Sequence, residues 1–218
     1  DIIKQGDKVL LKPNWVMDEN RLPGGGMDCL VTHPSVVEAV LHYVVKAQPG
    51  QIIVGDAPLQ NCDFEQLRAK CEPDDICVRF KRLGYKIQIR DFRLTKMNRL
   101  FSDRVKAEPE PKNYCLFDLG EKSWLTPVTG DQTEFRVTNY DPDILSKHHH
   151  PGTHRYLIAR EVIEADFVIS LPKLKTHKKA GVTGALKNMV GINGLKEYLP
   201  HHRKGGSRIG PGVAKWVC

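Results

Sequence analysis

The chain has 218 residues, of which 40% are hydrophobic and 27% charged. That balance excludes wholesale disorder and suits one large α/β domain with its own core. The formal net charge of +7 and pI of about 9.1 favour anionic partners such as phosphorylated metabolites, nucleic acid or acidic membrane surfaces, and no apolar run approaches the roughly 20 residues that cross a bilayer.

In chain order, Lys8–Leu11 (KVLL) reads as a buried strand that opens into a loop through Lys12, Pro13, Asn14 and Trp15, with Gly24, Gly25 and Gly26 further along. A helix follows, with Thr32 as its N-cap, His33 and Pro34 in its first turn, and Val36, Val37, Val40, Leu41, Val44 and Val45 as its apolar stripe. Gln51–Val54 (QIIV) is a second strand ending at Gly55, Asp56, Ala57 and Pro58. Residues 63–70 and 74–83 read as helices, and Lys86–Ile89 begins a third strand. This alternation predicts an α/β fold, a parallel or mixed sheet with helices on both faces and right-handed crossovers. The stretch 93–154 is less regular, with short β-like pieces at 114–119 and 134–139, and reads as an inserted β-rich lobe. Regular signals return at a helix over 160–165 and a core strand, Phe167–Leu171 (FVISL). Lys173–Ala180 then reads as a loop, and Gly184–Val190 as a helix with Ala185, Leu186, Met189 and Val190 turned inward.

Ligands of open α/β sheets gather beyond the carboxyl ends of the strands. Three such ends carry polar side chains straight after an apolar run: Lys12 and Asn14, then Asp56, then Lys173, Lys175 and His177. The densest of these features is LPKLKTHKKAGVTGALKNMVG, residues 171–191. A Lys/His loop runs there into a helix start at Gly181 and Gly184, which backbone N–H groups would make an anion cradle. Lys187 and Asn188 sit in the first turn of that helix. Residues 171–208 hold nine Lys or Arg against one acid, Glu197. Neither a Walker A loop nor G-x-G-x-x-G occurs, and no G-x-S-x-G, H-E-x-x-H or calcium loop is present.

Histidine titrates near neutrality, so His177 is a candidate general base, metal ligand or anion contact. His201 and His202 precede Arg203 and Lys204, and a further group comprises His148, His149, His150 and His154. Adjacent residues of an extended stretch point to opposite sides, which makes the triple histidine a weak ligand set. The six cysteines contain no C-x-x-C pair, so no zinc-ribbon or iron–sulfur motif is present in this segment, and their scatter fits a reducing, cytoplasmic setting.

VLLKPNW, THPSVVEAVL, IIVGDAP, RVTNYDPDILSKHH and above all LPKLKTHKKAGVTGALKNMVGINGLKEYLPHHRKGG resemble the domain-of-unknown-function family 362, in particular its branch encoded beside bacterial polysaccharide and other biosynthetic genes. Some of those relatives carry ferredoxin-type iron–sulfur modules, whose clustered cysteines this chain lacks. The resemblance implies motif positions at Lys12, Asn14, Asp56, Lys173, Lys175, His177, Lys187 and Asn188. It also implies a single domain over 1–218 that is a fragment lacking its C-terminal part.

The combined expectation is an enzyme acting on an anionic small molecule or glycan precursor. Lys12, Asn14, Lys173, Lys175, Asn188 and Arg203 would bind the substrate, and His177, Asp56 and Lys187 would act catalytically. One alternative is a metal-binding or iron–sulfur-associated redox protein, with a divalent metal on His177, His201, His202 and Asp56. The other is a polyanion- or nucleic-acid-binding module, against which the basic run offers only Tyr198 and Trp216 for base stacking.

Overall fold

A computed structural model of the chain describes residues 2–97, 104–106, 111–131, 133–137, 142–177 and 181–203. Its centre is a four-stranded, wholly parallel sheet. The first strand, β1 (Lys8–Pro13), is buried from Val9 onward, as an apolar run covered on both faces requires. Helix α1 (Pro34–Val44) follows, with Pro34 at its first position and Val37, Leu41 and Val44 buried. Its cap is His33, whose ring accepts from Ser35 N at 3.2 Å. The predicted cap, Thr32, is used elsewhere: its hydroxyl accepts from Asn14 N and donates to Leu171 O. Val36, expected in the apolar stripe, faces solvent.

Strand β2 (Gln51–Asp56) leads to α2 (Phe64–Cys71), capped by the Asp63 carboxylate, and to α3 (Pro73–Arg82), which Pro73 starts. Strand β3 (Ile87–Asp91) completes one side of the sheet. Beyond it β4 (Thr95–Met97) and β5 (Arg104–Lys106) form an antiparallel pair. The expected β-rich stretch then supplies β6 (Tyr114–Asp118), β7 (Phe135–Arg136), α4 (Pro142–His148), β8 (His149–His150) and β9 (Thr153–Ala159). Strand β9 pairs antiparallel with both β6 and β8. Of the β-like piece expected over 134–139, residues 138 and 139 lie outside the described set.

Helix α5 (Arg160–Glu164) returns the chain to β10 (Phe167–Leu171), the fourth parallel strand. The loop expected over 173–180 instead contains a hairpin, β11 (Lys175–His177) against β12 (Gly181–Thr183), with residues 178–180 outside the described set. The helix expected over 184–190 is one turn, α6 (Ala185–Asn188), continued by a tighter turn over Met189–Ile192. Leu186 on α6 is 92% exposed and Asn188 is buried, the reverse of the expected orientation. An apolar side chain there signals no inner face, because a helix this short follows the needs of its buried polar residue. Finally β13 (His202–Arg203) pairs with β7.

The strand order is β10-β1-β2-β3. The chain moves outward from β1 to β3 and then returns to the other side of β1, so the order reverses between β1 and β10. Loops leaving the carboxyl ends of these two strands diverge there and open a crevice. Side chains alternate across the sheet. Val9, Leu11, Ile52, Val54 and Ile87 pack against α1, α2 and α3 on one face. Leu10 and Ile53 pack against Phe92, Tyr114, Ile158 and the α5 residue Val162 on the other. Among the described residues no helix is long and apolar enough to cross a membrane.

The histidine group of the middle region divides sharply. His150 is exposed, His148 stacks on Tyr198 with ring centroids 3.9 Å apart, and His149 and His154 are buried. His149 Nε2 lies 2.8 Å from Tyr198 O, so this nitrogen carries the proton and Nδ1 accepts from His154 Nδ1 at 3.3 Å. A second proton on His149 would set two N–H groups against each other, and burial already pushes its pKa down to about 4. An unfolded histidine protonates near pH 6.5, so stability is complete above that value and is lost as the pH falls toward 4. The loss attributable to His149 is about 2–3 kcal/mol. Urea unfolding at pH 7.5 and 5.0 is expected to show it in the wild type and to show a smaller loss in His149→Phe.

Candidate functional site

At the reversal point, β1 and β2 each end in a charged side chain that the fold buries. Lys12 is fully buried and its ammonium lies 2.7 Å from Asp56 Oδ1. The same ammonium donates to Pro13 O and, at 3.0 Å, to Asn188 Oδ1. Asn188 in turn donates to Lys12 O and Ser170 Oγ, so one amide ties α6 to both β1 and β10. The other Asp56 oxygen accepts from Trp15 N at 2.6 Å. Burial pushes the Lys12 pKa down and the Asp56 pKa up, and each partner's charge opposes the effect on the other. Gly191 closes the latch. A Cβ at that position would stand 1.8 Å from Asp56 Oδ1 and 2.7 Å from Lys12 Nζ.

Above this latch a second lysine bridges the two diverging loops. Lys175 on β11 donates to Asn14 Oδ1 at 2.7 Å and to Leu30 O at 2.5 Å. Thr183 on β12 donates to the carbonyls of Lys173 and Lys175, which fixes the hairpin and the residues that lead into it. Burial lowers the Lys175 pKa to about 8, with neighbouring Lys173 and Lys187 adding to the effect and Asp56 opposing it.

These groups surround one cavity of about 310 Å³, lined among others by Asn14, Asp56, Lys173, Lys175, His177, Lys187, Asn188, Lys196 and His201. Its size falls at the lower end of small-molecule sites. The three strand ends selected from the sequence therefore meet at one place, with Lys12 immediately behind the wall. Lys187 Nζ stands 3.2 Å from His201 Nε2. An ammonium only donates, so His201 accepts through Nε2 and holds its own proton on Nδ1. The His177 and His201 rings are 6.2 Å apart.

Other expected residues go elsewhere. Arg203 donates to Val128 O, and neither it nor His202 lines the cavity. None of the hydrogen bonds or ion pairs of Asp56 goes to His177, because Lys12 and Trp15 N occupy its oxygens. The metal set His177, His201, His202 and Asp56 is not assembled. Among the described residues no group of three or more His, Cys, Asp or Glu is placed to hold a metal ion.

Three contributors escape sequence reasoning. Lys196 lines the cavity but is 5% exposed, and its ammonium donates to Ala57 O at 3.0 Å and more distantly to Val190 O and Asn193 O. Burial brings its pKa to about 8. In the sequence it is one basic residue among nine. Arg93 is wholly buried and pairs with Asp91 while donating to the carbonyls of Leu59, Gln60 and Cys62, so it fixes the loop after β2. Gly191 looks like any turn glycine until the Asp56 carboxylate is seen against it.

Residues 9–109 and 125–215 match the family described as a domain of unknown function, DUF362. The thylakoid-associated protein sll1697 of Synechocystis sp. is 27% identical over 191 residues, which cover 88% of this chain and 40% of that protein. The chain thus spans about two fifths of the length of this relative. No solved structure matches the chain. The matched segments contain the β1, β2 and β10 strand ends and the Lys173–His201 stretch that enclose the cavity. The chain belongs to the domain-of-unknown-function family 362.

Proposed function

We propose that this cavity is the substrate site of an enzyme acting on a small anionic molecule. The observation that carries the reading is the cavity's charge. Among the described residues, four lysines and two histidines line it against a single carboxylate, Asp56, which the buried Lys12 already neutralises. Cations that are costly to bury are retained where an anion offsets them. Lys173, Lys175 and Lys187 bind the anionic group in this reading. Asn14 and Asn188 hold Lys175 and Lys12 in place, and His177 transfers the proton beside a neutral His201. Asp56 acts as the counter-charge of the latch.

Inorganic phosphate titrated calorimetrically at low salt is expected to bind the wild type. Lys187→Ala or Lys173→Ala each remove one charge-assisted hydrogen bond, and a roughly ten- to hundredfold weaker affinity is expected. The exposed Lys86→Ala should bind as the wild type does. Equal affinity in all four proteins would remove the lysine cluster as the binding group.

A further inference from the structure

The cavity lining is part cationic and part apolar. The lysines that line the cavity come from the segment after β10: Lys173 before the hairpin, Lys175 on it, Lys187 on α6 and Lys196 beyond. The loops after β1 and β2 add apolar Trp15, Val16 and Leu59 to the lining, with Val137, Val190 and Leu199 beside them. Val16 and Leu59 are held together, since Leu59 N donates to Val16 O and the buried Arg93 fixes the carbonyl of Leu59.

Most of the neutral polar side-chain atoms are already committed inside the protein. Asn14 accepts from Lys175, both ends of the Asn188 amide serve Lys12 and Ser170, and Thr183 donates to the hairpin carbonyls. A sugar or other polyhydroxylated ligand needs a ring of such groups for its hydroxyls, because hydroxyls buried without partners cost free energy. An elongated polyphosphate would meet these apolar side chains as well as the lysines. Resting on the proposed anion site, we infer that the ligand is an amphiphilic anion, with one phosphate- or carboxylate-like group on the lysines and an apolar body against Trp15, Val16, Leu59 and Leu199.

The inference is tested on the intact chain with methyl phosphate, hexyl phosphate, phenyl phosphate and neutral hexanol. Each buried methylene strengthens binding by a factor of about 4, so hexyl phosphate is expected to bind at least tenfold more tightly than methyl phosphate. Phenyl phosphate exceeding hexyl phosphate would assign the body as aromatic, and the reverse as aliphatic; both orders support the inference. Leu199→Asn should shrink the hexyl-to-methyl ratio. Equal binding of methyl, hexyl and phenyl phosphate overturns the amphiphile and leaves the anion site standing. Hexanol binding as tightly as hexyl phosphate overturns the anion site itself, as does a failure of every phosphate to bind.

Discussion

Asp56→Ala is expected to be among the most damaging single substitutions in the chain, lowering unfolding free energy by about 3–5 kcal/mol. Lys12 has no solvent exposure, and its ammonium is held by Asp56 at 2.7 Å. Removing the carboxylate leaves a buried cation with only Pro13 O and Asn188 Oδ1, and also strips Trp15 N of its acceptor. Since domains are stable by only about 5–15 kcal/mol, such a loss leaves a marginal protein. Replacing both partners, Lys12→Met with Asp56→Leu, is expected to restore much of the stability, because no buried charge then lacks its counter-ion. Urea unfolding of the two single variants and the double variant measures this. A double variant as unstable as the sum of the singles would show that the pair acts through something other than mutual charge compensation.

Gly191→Ala is the second. Adding one methyl group seldom matters on a surface, but here the new carbon would lie 1.8 Å from Asp56 Oδ1. The carboxylate has to move, and with it the Lys12 contact and the Trp15 N hydrogen bond. A cost of about 1–3 kcal/mol or more is expected, together with weaker phosphate binding as the cavity wall shifts. Gly184→Ala is the matched control. Its backbone is extended and nothing stands within 4 Å of the added carbon, so thermal unfolding should change within about 0.5 kcal/mol. Similar effects of the two substitutions would contradict the close packing assigned to Gly191.

The contrast between these glycines marks what a sequence can and cannot convey. Apolar runs such as KVLL and QIIV announce buried parallel strands, and the polar residues that end them point to the crevice; Lys12, Asn14, Asp56, Lys173, Lys175, His177, Lys187 and Asn188 do meet there. Periodicity cannot report what a residue does after the chain folds back. Thr32 has the chemistry of a helix cap, yet its hydroxyl joins Asn14 N in the loop after β1 to Leu171 O in β10, 139 residues from Thr32 itself. Leu186 has the chemistry of a core residue and lies in solvent, because the single turn of α6 buries Asn188 instead. Lys196 and Arg93 look like ordinary surface cations, and only the carbonyls gathered around them explain their burial. Strand ends are thus legible locally, whereas the latch beneath them depends on contacts across more than a hundred residues.

The proposed function requires that the cleft keep its lysines partly desolvated so that an anion can settle among them. The most direct measurement is the titration of the Lys175 side-chain nitrogen by NMR, without and with inorganic phosphate. The free protein is expected to show a midpoint near 8, well below that of an ordinary lysine, and phosphate is expected to raise it, with affinity falling as the pH climbs past that midpoint. A Lys175 that titrates like a solvated lysine and ignores phosphate would contradict the claim.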